Sequence, residues 1–156
     1  MHTPGKNPAD GLDDEIKESN TLLQLLKDEQ DVLIRADVEE LARLTEEKNK
    51  SIARMAELAQ RRHRVLATIG FEASEAGMKV WLKSAAPAAA RMWTSLLDIA
   101  RQAKEQNRIN GLLIGKHMAR TQAALNILHG GQQAGNMYGP NGQSTGQAGS
   151  RKLVIG

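Results

Sequence analysis

From Leu12 onward, apolar and small residues recur at Leu12, Ile16, Ser19, Leu23, Leu26, Gln30 and Leu33, alternately four and three apart. That spacing places about one side chain per turn along a single helix face. Leu22 and Leu25 widen the stripe. The pattern breaks at Arg35-Ala36-Asp37, and Asp37-Val38-Glu39-Glu40 reads as a capping box, in which Asp37 accepts from a first-turn amide and Glu40 reaches back. The second helix carries Leu41, Leu44, Lys48, Ile52, Met55, Leu58, Arg62, Val65 and Ile69 at the same spacing, and Gly70 supplies the left-handed residue that ends it. So short a connection between matching stripes predicts an antiparallel hairpin, because only folding back lets the two faces cover each other.

Residues 71–77, FEASEAG, weaken the pattern, and a short amphipathic piece around Met78, Trp81 and Leu82 turns the corner to Ala86-Pro87. Proline fits the first turn of a new helix. From Pro87 the stripe runs through Trp93, Leu96, Ala100, Ala103, Asn107, Asn110, Ile114, His117, Thr121, Ala124 and Leu128. At 1.5 Å per residue this last helix is about 63 Å long, about 27 Å longer than the first. Part of its stripe is therefore expected to extend past the hairpin's cover, and an uncovered stripe is a binding surface. Asn107 and Asn110 sit on that stripe, where an amide either fixes helix register inside the bundle or recognises a partner.

Composition supports helices packed lengthwise. Of 156 residues 40% are apolar, yet the aromatics are Phe71, Trp81, Trp93 and Tyr138 alone, so the core falls to Leu, Ile, Val, Met and Ala. The expected class is all-α: an elongated antiparallel bundle or coiled coil made of a two-helix hairpin, a short third helix and a long final helix. The expected boundaries are a disordered N-terminus over 1–11, a bundle over 12–129 and a flexible Gly/Gln/Ser-rich tail over 130–156. With eight glycines, that tail has too little apolar surface to offset its ordering entropy. Without cysteine, disulfides and thiolate metal sites are excluded, and with no apolar run of spanning length and no leader-like N-terminus, the cytosol is the expected compartment.

Catalytic chemistry is not legible. Gly111-Leu-Leu-Ile-Gly115-Lys116 has three residues between its glycines where a phosphate loop needs four, and His117 follows the lysine where Ser or Thr is required. The small residues better suit close approach of another helix. His2, His63, His117 and His129 form no ligand pair at helical spacing, so no metal, cofactor or catalytic residue is expected. Charge is uneven: residues 106–156 contain Arg108, Lys116, Arg120, Arg151 and Lys152 but no acidic residue. Five cations spread so thinly make a poor nucleic-acid footprint and suit mild steering towards an acidic partner.

The hairpin LLQLLKDEQDVLIRADVEELARLTEEKNKSIARMAEL, the later NRING (residues 107–111) followed by two leucines, and the tail segment YGPNGQ (residues 138–143) together resemble FlgN, the flagellar type III export chaperone family. The resemblance implies a cytoplasmic chaperone without catalysis or ATP. Such a chaperone binds the hook–filament junction proteins FlgK and FlgL through their C-terminal helical segments, prevents premature assembly and delivers them to the export gate. It also implies that Tyr138, matched by its YGxxGQ context, docks on the cytoplasmic domain of the gate protein FlhA. The expected client surface comprises Asn107, Asn110, Leu112, Leu113, Ile114, His117 and Ala124. Met137, Tyr138, Leu153, Val154 and Ile155 are the expected tail contacts with gate or client. The rival reading is a self-associating helical scaffold whose stripe is closed by a second copy.

Overall fold

A computed structural model describes residues 5–137, with side chains through residue 130. Among the described residues there are four helices: α1 (Leu12–Arg35), α2 (Val38–Thr68), α3 (Glu75–Leu82) and α4 (Pro87–Met137). The all-α expectation holds, and α4 starts at the proline. The chain divides into two compact units, Met1–Leu113 and Ile114–Gly156.

In the first unit α1 and α2 pack closely along their length as an antiparallel hairpin. Buried ion pairs set their register. Glu15 meets Arg62 at 3.0 Å and Glu29 meets Lys48 at 2.7 Å. Fourteen residues separate the two glutamates on α1, and fourteen separate the two cations on α2, so both pairs demand the same alignment. Between them Ser51 donates to Glu18 at 2.7 Å. Charged and polar residues thus sit in the covered seam beside the positions of the pattern: Glu15, Glu29 and Ser51 are buried, Ile16 and Gln30 are half-buried and Ile52 is exposed. Pairing across the hairpin makes that burial tolerable.

The connections follow cap chemistry. Ala36 closes α1 with φ 56°. At the other end of the hairpin, Gly70 (φ 87°) sends its amide to Ala67 at 3.2 Å and Phe71 sends its own to Leu66 at 2.9 Å, a Schellman closure. Asp37 caps α2 by accepting from the Glu40 amide at 3.2 Å. The reciprocal half of the capping box does not form: Glu40 hydrogen-bonds Arg43, which holds its carboxyl below the ordinary carboxylate range. Ser74 caps α3 through the Gly77 amide at 3.1 Å.

Two apolar clusters bring α4 onto the hairpin. Leu12, Leu66, Met78, Trp93 and Leu96 form one, with Phe71, Trp81 and Leu82 against it; Leu23, Leu26 and Ala103 form the other. Low α1 numbers meet low α4 numbers, so α4 runs parallel to α1 through this unit.

In residues 5–11 Asn7 Oδ1 accepts from the Ala9 amide at 2.9 Å, Pro8 is buried and Ala9 packs on the core. The Asn-Pro-Ala-Asp-Gly run is a turn pinned by an apolar contact. The backbone of α4 continues through Gly130 and Gly131, because glycine costs about 1 kcal/mol in a helix without forbidding it. Expectations on residues 138–156 lie outside the described residues.

Candidate functional site

Among the described side chains of α4 none is more buried than that of Asn110, which is 1% exposed. Its Nδ2 donates to the Leu26 carbonyl at 2.8 Å and to Glu29 Oε1 at 2.8 Å. Its Oδ1 accepts from Gln106 Nε2 at 3.0 Å, and Gln106 also reaches Gln30 Oε1 at 2.9 Å. Glu29 is at the same time the partner of Lys48, so one polar network joins α1, α2 and α4. Of the two readings of the seam asparagines, the register-fixing contact describes Asn110. Asn107 is exposed.

The covered face of α4 keeps Leu96, Ala103 and Asn110 of the expected line and shifts by one position between them. After Leu96 it passes through Ile99, Ala103, Gln106, Asn110 and Leu113, while Ala100 and Asn107 are exposed. The apolar stripe was wide enough, with Ile99 beside Ala100 and Leu113 beside Ile114, to admit either line. Leu112, still within the first unit, is 57% exposed.

In the second unit α4 carries apolar side chains in the open. Ile114, Met118, Leu125, Ile127 and Leu128 are all exposed, as is Ala124, whereas His117 is half-buried. Ile114, Met118, Thr121, Leu125 and Leu128 recur four, three, four and three apart, so these residues share a face. Met118 and Leu125 were missing from the expected client surface, although this spacing marks them. Around Gly111 and Gly115 a Cβ would meet nothing within 4 Å, so among the described residues no helix packs closely there. Met137 has its backbone in α4; its side chain, Tyr138, Leu153, Val154 and Ile155 lie outside the described residues.

The second polar centre was not legible beforehand. Arg62, 6% exposed, donates to Glu15 and to Glu75 Oε1 at 3.0 Å, and its guanidinium lies 4.7 Å from the Trp93 ring centroid. It thereby ties α1, α2, the start of α3 and α4 together. Its position in the α2 stripe was the signal, but periodicity cannot name the partner. Among the described residues no three His, Asp or Glu could hold a metal ion, and no helix is long and apolar enough to cross a membrane.

Comparison with known proteins bears on this helical arrangement. The family model described as FlgN protein matches residues 5–146. The chain belongs to the FlgN family. Among FlgN relatives, the flagella synthesis protein FlgN of Proteus mirabilis is 27% identical over 135 residues, covering 85% of this chain and 86% of that protein. The flagella synthesis protein FlgN of Yersinia enterocolitica serotype O:8 is 27% identical over 137 residues, covering 86% and 87%. No solved structure matches this FlgN-family chain.

Proposed function

We propose that this FlgN-family chain is a cytoplasmic export chaperone that holds the C-terminal helical segments of the junction proteins FlgK and FlgL, blocks their premature assembly and hands them to the export gate. The observation that supports this reading is the open apolar face of α4 in the second unit, from Ile114 through Met118 and Leu125 to Leu128. Such a face suits capture of an amphipathic helix, with apolar residues of the client packed between its side chains. Leu112, Leu113, His117 and Ala124 contribute beside it, whereas Asn110 acts from within by holding α4 in register. Residues 106–156 are free of acidic side chains, which favours an acidic client. Met137, Tyr138, Leu153, Val154 and Ile155 contact the cytoplasmic domain of FlhA or the client.

Calorimetry of the full chain with a C-terminal helical segment of FlgK tests the reading, beside a Met118→Lys, Leu125→Lys variant and a Tyr138→Ala variant. One-to-one binding that the double substitution weakens by about 2 kcal/mol or more supports the α4 face as an energetic centre. Unchanged affinity in a folded double variant removes it. Tyr138→Ala is expected to spare client affinity and to weaken binding to FlhA. A tight dimer that ignores the client would favour the scaffold.

A further inference from the structure

Within the first unit, α2 and α4 meet where Arg62 and Leu66 face Trp93, and away from there they do not close on each other. Between them, over α1, runs a groove in two connected parts. One part, about 180 Å³, is lined by Ser19, Met55, Ala59, Arg62, Trp93 and Ala100, among others. The other, about 280 Å³, is lined by Leu22, Leu26, Lys48, Ile52, Ala103 and Lys104, among others, with Met55 and Ala100 shared. Ile52, 48% exposed, stands on its wall as an uncovered apolar side chain. From Glu15 to Leu26 the floor is about 16 Å long at 1.5 Å per residue, room for three helical turns.

Two further features point to an occupant. Ser19 Oγ and Arg62 Nη1 are buried without a hydrogen-bond partner, and both residues line the narrower part. Buried polar atoms of this kind are rare because each forfeits a hydrogen bond it had in water. The groove is also electrically polarised. At one end Glu15 and Glu75 outnumber Arg62, with His63 touching Glu75 at 3.1 Å; at the other Lys48 and Lys104 outnumber Glu29.

We infer that this groove is a second docking site, separate from the α4 face of the second unit, and that it takes an amphipathic helix of a partner protein lying parallel to α1 with an acidic C-terminal end. In that orientation the positive N-terminal end of the incoming helix lies by Glu15 and Glu75, and its negative end by Lys104. Its apolar face covers Leu22, Ile52, Met55 and Ala100, completing a four-helix arrangement, and a polar side chain supplies an acceptor to Arg62 Nη1. Two nearer candidates fit worse. The tail of this chain and the α4 face of a second copy both come from residues 106–156, which carry cations and no acidic side chain to set against Lys104.

Trp93 lines the groove, so a full-length Trp81→Phe protein, in which it is the one remaining tryptophan, reports occupancy by fluorescence. The probes are two synthetic amphipathic peptides of about eighteen residues, long enough to hold helix. One ends in two glutamates and a free carboxylate; the other ends in two lysines and an amide. The acidic-ended peptide is expected to perturb Trp93 and to bind at least about tenfold more tightly, with the preference reversed by Lys104→Glu and binding lost, as read by calorimetry, when Ala100→Trp fills the groove. Equal binding of the two peptides overturns the inference, as does binding indifferent to Ala100→Trp. Binding lost instead with Met118→Lys and Leu125→Lys overturns it too, while leaving the client-capture reading intact. A change in Trp93 emission on removing residues 138–156, or a dimer dissolved by Ala100→Trp, would assign the groove to the tail or to a second copy.

Discussion

Asn110 of α4 and Glu29 of α1, 81 residues apart in the chain, are joined by a hydrogen bond of 2.8 Å inside the first unit. Through Glu29 the asparagine is also connected to Lys48 of α2, so three helices share one polar junction. Apolar packing alone tolerates sliding by a turn, since leucines are interchangeable along a stripe. A buried amide with named partners is satisfied in one register.

Asn110→Ala should therefore lower the unfolding free energy by about 1–3 kcal/mol, the cost of leaving buried partners unsatisfied. Urea denaturation measures it, and combining the change with Glu29→Ala should give a coupling of about 0.5–3 kcal/mol. A cost indistinguishable from that of an exposed substitution would show that the junction adds nothing.

Arg62→Leu is the more damaging change. It leaves Glu15, 5% exposed, without its guanidinium partner, at a cost of about 3–5 kcal/mol. Adding Glu15→Leu should return most of that loss, because the pair can be replaced together far more cheaply than broken. Thermal unfolding of the three proteins reads both steps.

Ala36→Gly should stabilise the chain. Ala36 holds φ 56°, a left-handed conformation that glycine adopts without a Cβ clash, so a gain of about 0.5–1 kcal/mol is expected. It should appear as a higher denaturation midpoint with an unchanged slope.

Glycines separate by site. At Gly77 an added Cβ would stand 1.8 Å from the Glu72 carbonyl oxygen, so Gly77→Ala must displace the start of α3 and should cost about 1–3 kcal/mol. At Gly111 and Gly115 it meets nothing within 4 Å, and alanine there should add about 0.5–1 kcal/mol apiece. If these two glycines serve close approach of a partner helix, the stabilised variants will bind it less well, which calorimetry detects.

The sequence by itself determined the helices, their order and the fold-back at Asp37, because periodicity, a side-chain cap, Gly70 and Pro87 act over a few residues and need no partner to be read. It did not determine which edge of a wide stripe is covered. Ile99 against Ala100, and Leu113 against Ile114, differ by one residue, about 100° around the helix, and apolar content ranks them alike. Nor did it mark Glu15, Glu29 and Ser51 as interior, and it left Asn110 open between the bundle interior and a partner. A polar residue is buried when a complementary group from another helix stands beside it, and Arg62, Lys48, Glu18 and Leu26 were brought there only by the tertiary packing.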